Sequence, residues 1–134
     1  RHADLAVALG GLLDDAPGGP LDPARPSDYG AALGSLWHRY AALVSPSTSV
    51  VLLGDGRSNG RDPGLGHVTE LTRRARRTVW CTPEPEGAWG FGNGEMAHYA
   101  ERVDGAVSLR TLDDLQRAIR ESVFDARPRR RPVA

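Results

Sequence analysis

The residues best suited to chemistry form a glycine-flanked turn, Gly54-Asp55-Gly56, directly after an apolar run at residues 49–54. In open α/β sheets, ligands bind beyond the carboxyl ends of the strands, so a carboxylate at this point faces the ligand-binding edge. The glycines permit positive φ angles and the close approach of a ligand or a second loop. Asp55 is therefore the main candidate for a functional side chain. The alternative is that its carboxylate only caps its own turn.

A second carboxylate, Glu84, follows the next expected strand at residues 78–82. If the two strands are neighbours, Asp55 and Glu84 approach one another and could serve as a general acid and base. A small α/β enzyme is thus one hypothesis for the chain. GxSxG and HExxH motifs do not occur in the sequence, and Gly54 to Gly60 misses the dinucleotide fingerprint by one residue.

Composition excludes several other classes. Seventeen arginines balance seventeen acidic residues, and this zero formal charge argues against nucleic acid as a partner. No apolar run approaches eighteen residues, which predicts that there is no membrane span. With one cysteine, Cys81, and no visible signal peptide, we expect a reduced, cytoplasmic protein.

Hydrophobic periodicity from residue 28 onward predicts helices alternating with strands. The expected elements are helices at 28–44, 64–77, 95–103 and 111–124, and strands at 49–54, 78–82 and 105–110. This alternation is typical of an α/β fold, here a Rossmann-like parallel sheet of three strands with flanking helices. We expect it to span residues 27–124, between an N-terminal helix and Pro/Gly-rich linker at 1–26 and a basic, disordered tail at 125–134.

Local signals sharpen three of these expectations. Ser27 is a predicted helix N-cap, and Thr111 with Asp114 resembles a capping box. The run at 49–54 is apolar on both faces, which is typical of a central strand. As the first of three strands it would nevertheless lie at an edge, where it needs a partner strand. We therefore expect that the chain can self-associate through it.

The order of motifs resembles the CoxE-like group of von Willebrand factor A (VWA) domains, from about Ser27 to Ile119. The resemblance rests on Val-Val-Leu-Leu-Gly-Asp-Gly-Arg-Ser-Asn at 50–59, Val-Trp-Cys-Thr-Pro-Glu-Pro at 79–85, and the later Trp89-Gly90, Met96 and Tyr99. It implies a Rossmann-like sheet with a metal-ion-dependent adhesion site at its top.

The resemblance also implies site residues and partners. Asp55 matches the aspartate of the third metal-site loop, and Ser27 matches the second-loop hydroxyl, with Mg²⁺ as the bound ion. The first loop of the family carries a DxSxS motif, which does not occur in these residues. The sequence is therefore expected to be the C-terminal portion, about half, of such a domain, with a divergent or incomplete magnesium site.

Family members are thought to act with a MoxR-type AAA+ ATPase in protein remodelling or metal-cofactor maturation. The resemblance thus implies a non-enzymatic protein-interaction module, with Arg57, Asn59, Trp89 and Phe91 as partner-binding residues. For the two aromatic side chains, the alternative is that both rings fold back onto the sheet. Besides the enzyme that uses Asp55 and Glu84, a truncated gene product without function is the remaining alternative.

Overall fold

The computed structural model of the protein describes residues 28–92 and 94–124. The predicted N-terminal helix and linker at 1–26 and the predicted tail at 125–134 lie outside the described residues. The elements are helix α1 (Tyr29–Tyr40) with a 3₁₀ turn (Ala41–Leu43), strand β1 (Ser49–Leu53), helix α2 (Leu65–Arg74), strand β2 (Arg77–Thr82), a 3₁₀ turn (Glu86–Ala88), helix α3 (Met96–Arg102), strand β3 (Gly105–Ser108) and helix α4 (Leu112–Phe124).

The three strands form one parallel sheet in the order β1-β2-β3. Leu53 pairs with Cys81, and Thr82 pairs with Ser108, so the carboxyl ends of all three strands meet at one edge. The predicted α/β, Rossmann-like architecture is confirmed. Because the loops after β1 and β2 leave the sheet side by side, Asp55 and Glu84 are carried to the same end of the molecule.

The helices cover both faces of the sheet. Helices α1, α2 and α3 pack over Trp80 of β2, with Leu33, Leu71 and Tyr99 among the buried residues of that layer. On the other face, Val79 and Cys81 pack against Ala118 of α4. The alternation along β2 follows from the two-residue period of a strand. No described helix combines the length and the apolar character that crossing a membrane requires.

The order of the strands confirms the expected edge position of the apolar first strand. Among the described residues β1 lies at an edge of the sheet, and its Leu53 is 61% exposed. The central strand is β2, which begins with Arg77 and contains Thr78 and Thr82, both fully buried. Within the described residues β1 pairs only with β2. Local apolar content therefore did not decide which strand is buried more deeply.

The helix ends follow local hydrogen-bonding chemistry. The predicted N-cap at Ser27 is wrong, because the cap of α1 is Asp28, whose carboxylate accepts from the Ala31 N–H at 3.0 Å. The predicted capping box is confirmed. The Asp114 N–H donates to the Thr111 hydroxyl, and the Thr111 N–H donates to the Asp114 carboxylate. The Arg110 N–H also donates to the Asp114 carboxylate, and the bonds from the Arg110 and Thr111 amides, the former first, hold the pKa of Asp114 below its usual value.

Candidate functional site

The loop that follows β1 is built from unusual backbone conformations. Gly56, Asn59 and Gly60 all have positive φ, at 69°, 54° and 75°. A Cβ at Gly56 would lie 2.6 Å from the Met96 sulfur, so glycine is required there for packing as well as for conformation. Ser58 is buried, while Asn59 and Gly60 are exposed at the apex of the loop. The loop therefore presents its tip to solvent and anchors its base in the core.

The Asp55 carboxylate is held in a fixed orientation by two donors. Its Oδ1 atom accepts from the Tyr29 hydroxyl and from the Arg57 N–H, each at 3.0 Å. The bond to Arg57 is the turn-capping contact that the sequence left open as an alternative. The bond to Tyr29 joins the loop to the start of α1. Asp55 thus caps its own turn and also links two separate segments at the carboxyl end of the sheet.

Three aromatic side chains support this loop from below. The rings of Trp80 and Tyr99 stack with centroids 4.1 Å apart, and the Tyr29 ring lies 5.6 Å from Trp80. Each ring sends its polar atom to the loop: Trp80 donates to the Gly54 carbonyl at 3.0 Å, and Tyr99 donates to the Pro63 carbonyl at 2.6 Å. Burial raises the pKa of Tyr29 to about 12, so its hydroxyl remains a donor at neutral pH.

Arg57 connects the loop after β1 to the segment after β2. Its Nε donates to the Glu84 carboxylate at 3.0 Å, and its backbone pairs with Gly94 in an isolated antiparallel bridge. The neighbouring Glu95 N–H donates to the Gly56 carbonyl at 2.7 Å. The hydrogen bond and charge of Glu84 raise the pKa of Arg57, and the charge of Asp55 adds to this. Asp55 and Glu84 therefore both interact with Arg57, one through its backbone and one through its guanidinium.

The two aromatic residues of the loop at 86–94 have different environments. Trp89 donates from Nε1 to the Glu84 carbonyl at 3.0 Å and packs against the core beneath α1–α3. Phe91 is 71% exposed. The prediction paired both residues as a contact surface, and the alternative folded both rings back. The structure packs a partly buried Trp89 against the core and leaves Phe91 in solvent.

Of the six predicted site residues, Arg57 and Trp89 contact Glu84, Asp55 contacts Arg57, and Asn59 and Phe91 lie at the solvent surface. The sixth, Ser27, lies outside the described residues. Sequence reasoning missed Tyr29 as a site residue. The available signal was its position two residues after Ser27, in the first turn of the predicted helix, which does not say where the hydroxyl points.

Comparison with known proteins decides the family. The model of the family described as "VWA domain containing CoxE-like protein" matches residues 24–117, about two thirds of the chain and the whole of the site described above. The chain belongs to this CoxE-like VWA family. Neither a curated protein nor a solved structure gives a significant match. Membership in the CoxE-like VWA family suggests a protein-interaction module.

The described residues do not by themselves fit the Mg²⁺ ion that a VWA domain implies. Mg²⁺ prefers an octahedral shell of oxygen ligands. In residues 28–92 and 94–124, no group of three or more His, Cys, Asp or Glu side chains could hold a metal ion. Asp55 already uses Oδ1 for two hydrogen bonds, and the guanidinium of Arg57 is within electrostatic range. The expectation that Ser27 and Asp55 bind Mg²⁺ stays a prediction.

Proposed function

We propose that this CoxE-like VWA chain is a non-enzymatic protein-interaction module that acts with a MoxR-type AAA+ ATPase in protein remodelling or metal-cofactor maturation. Its proposed contact surface consists of Asp55, Arg57, Asn59 and Phe91, at the carboxyl end of the sheet. The proposal includes no step through a bound metal, because the described residues alone do not fit one.

The observation that carries this proposal is the contrast between Trp89 and Phe91. The Phe91 side chain is 71% exposed. Complete burial of a large apolar side chain by a partner would stabilise the complex by about 1.5–3 kcal/mol. Such side chains matter in binding when the loop that bears them is already fixed, since less entropy is lost on association. Trp89 fixes this loop through its bond to the Glu84 carbonyl and its packing on the core.

Rigid support for the remaining surface residues favours the same conclusion. Asp55 is held by Tyr29, and Arg57 is held by Glu84. Asn59 keeps a positive φ at the exposed tip of its loop. A surface that combines fixed polar groups with an exposed aromatic side chain is typical of a protein-binding site.

The proposal is tested by the affinity of the full chain for the MoxR-type ATPase of the same source, measured by biolayer interferometry. Phe91→Ala is expected to weaken binding by about 30-fold, which corresponds to ~2 kcal/mol for an anchor residue. The matched control is Leu43→Ala. Leu43 is 68% exposed and lies in the connection before β1, at the opposite end of the sheet.

The control variant is expected to bind as the unmodified chain does. Equal affinities for Phe91→Ala and the unmodified chain, with both folded by circular dichroism, would place the contact elsewhere and refute the proposed surface. If the unmodified chain fails to bind the ATPase at all, the partner assignment is wrong.

A further inference from the structure

Both asparagines of the chain, Asn59 and Asn93, are followed by glycine. In an Asn-Gly pair, the backbone nitrogen of the glycine can attack the side-chain amide of the asparagine, because glycine has no Cβ to hinder the approach. The dipeptide therefore loses ammonia spontaneously in water. Because the two dipeptides are identical, a difference in reactivity between them must come from the fold.

The Asn59-Gly60 pair lies at the tip of the loop after β1. Both residues are exposed and have positive φ, and the Arg61 N–H donates to the Ser58 carbonyl at 3.0 Å. These features define a type I′ turn with Asn-Gly at its centre. Apart from the chain neighbours, a Cβ built on Gly60 would meet no described atom within 4 Å. The pair is thus accessible to water and to the base that promotes the reaction.

Gly94, the glycine of the second pair, is held by the surrounding backbone. Its N–H donates to the Phe91 carbonyl at 3.2 Å, and its backbone pairs with Arg57 in the isolated bridge. A Cβ on Gly94 would lie 3.0 Å from the Phe91 oxygen and 3.4 Å from the Trp89 oxygen. Attack by the Gly94 nitrogen first requires these contacts to open. The fold therefore favours reaction at Asn59.

We infer that Asn59 is a site of spontaneous deamidation, and that the fold directs the reaction to it rather than to Asn93. The Gly60 nitrogen loses its proton to base and bonds to Cγ of Asn59, the Cγ–Nδ2 bond breaks, and ammonia leaves with a proton from water. Water then opens the resulting succinimide at one of its two carbonyls, which yields aspartate or isoaspartate. The net reaction consumes one water and releases one ammonia, without an oxidant or a reductant.

The product changes the proposed contact surface. The Asn59 side chain is neutral, whereas aspartate and isoaspartate are both negative at neutral pH. The new charge lies at the tip of the loop that holds Asp55 and Arg57. Isoaspartate also lengthens the main chain of the turn by one carbon. The inference goes beyond the proposed function and its test needs no partner, so its failure would leave the Phe91 experiment unaffected.

The experiment incubates the full chain at mildly alkaline pH and follows both asparagines by peptide mapping with mass spectrometry. Replacement of –NH₂ by –OH adds about 1 Da and one negative charge, which ion-exchange chromatography also resolves. In the folded chain Asn59 is expected to react at least ~10-fold faster than Asn93, which corresponds to about 1.4 kcal/mol in activation free energy. In concentrated urea, which removes the fold, the two asparagines should react at similar rates.

Gly60→Ala is expected to slow the reaction at Asn59 by at least ~10-fold, because a Cβ hinders the attacking nitrogen. The matched control is Gly66→Ala, which adds the same methyl group at another open position, in α2, and should leave the rate unchanged.

Equal rates at the two asparagines of the folded chain would overturn the inference, as would an Asn59 that stays intact while the denatured chain reacts. A folded Gly60→Ala chain that deamidates as fast as the unmodified one would also overturn it. If Gly60→Ala folds poorly, the comparison of the two asparagines in the unmodified chain still decides.

Discussion

The hydrogen bond between Tyr29 and Asp55 links the start of α1 to the loop after β1, and its contribution to stability can be isolated. The perturbation is Tyr29→Phe, which removes the hydroxyl and leaves the ring beside the stacked pair of Trp80 and Tyr99. A hydrogen bond to a charged group contributes ~1.5–3 kcal/mol, and partial exposure lowers this to about 1–1.5 kcal/mol. We therefore expect the melting temperature to fall by about 5–10 °C.

A double-mutant cycle separates this contact from the other effects of the two side chains. Urea unfolding is measured for the unmodified chain, Tyr29→Phe, Asp55→Ala and the double variant. The coupling free energy is expected to be about 1 kcal/mol, because the residues touch directly. The loss of the Asp55 bond to the Arg57 N–H occurs in both arms of the cycle and cancels.

A coupling below ~0.3 kcal/mol, with equal denaturant dependence of all four proteins, would refute the reasoning. Water would then replace the tyrosine hydroxyl at no cost, and Tyr29 would support the loop only through its ring. A coupling of the expected size would show that the Asp55 carboxylate is oriented from the first turn of α1.

Three further predictions follow from the same loop and from the sheet edge. Burial raises the pKa of Tyr29 from 10 to about 12, so the neutral hydroxyl contributes fully to stability below pH 10 and this contribution is lost between pH 10 and 12. In that interval the free energy of unfolding should fall less steeply with pH for Tyr29→Phe than for the unmodified chain. Gly56→Ala should destabilise the chain by at least ~1 kcal/mol more than Gly60→Ala in urea unfolding. Both positions have positive φ, but only the Cβ at Gly56 meets Met96, and equal losses would mean that Met96 moves away without cost. Leu53→Lys should reduce self-association in sedimentation velocity, because an exposed charge protects an edge strand; an unmodified chain that sediments as a monomer would contradict the expected association through β1.

The sequence was sufficient for the order of elements and the parallel sheet. Both rest on periodicity and on turn residues, which act over a few positions. The capping box at Thr111 could be predicted for the same reason, since donor and acceptor are three residues apart. The cap of α1 could not be resolved between neighbours: Ser27 and Asp28 are both good caps, and the geometry of the first turn selects Asp28.

The features that the sequence did not reveal depend on long-range contacts. Nothing local shows that β2 is buried more deeply than β1, because the depth of burial depends on where the helices pack. The Tyr29–Asp55 bond joins residues 26 positions apart, and the Arg57–Glu84 pair joins residues 27 apart. Residue types predicted that the site lies at the end of β1. The hydrogen-bonding partners of its side chains could be identified only from the three-dimensional structure.

The position of Trp80 has a consequence for how genetic screens of this domain are interpreted. Its side chain lies in the centre of the core and also donates to Gly54, the residue before Asp55. A substitution such as Trp80→Phe therefore changes the loop and the core together. In a random library, variants of this interior residue would lose partner binding as readily as variants of the binding surface. Repeating the screen in a stabilised background would separate the two, since only substitutions that act through the loop would keep their phenotype there.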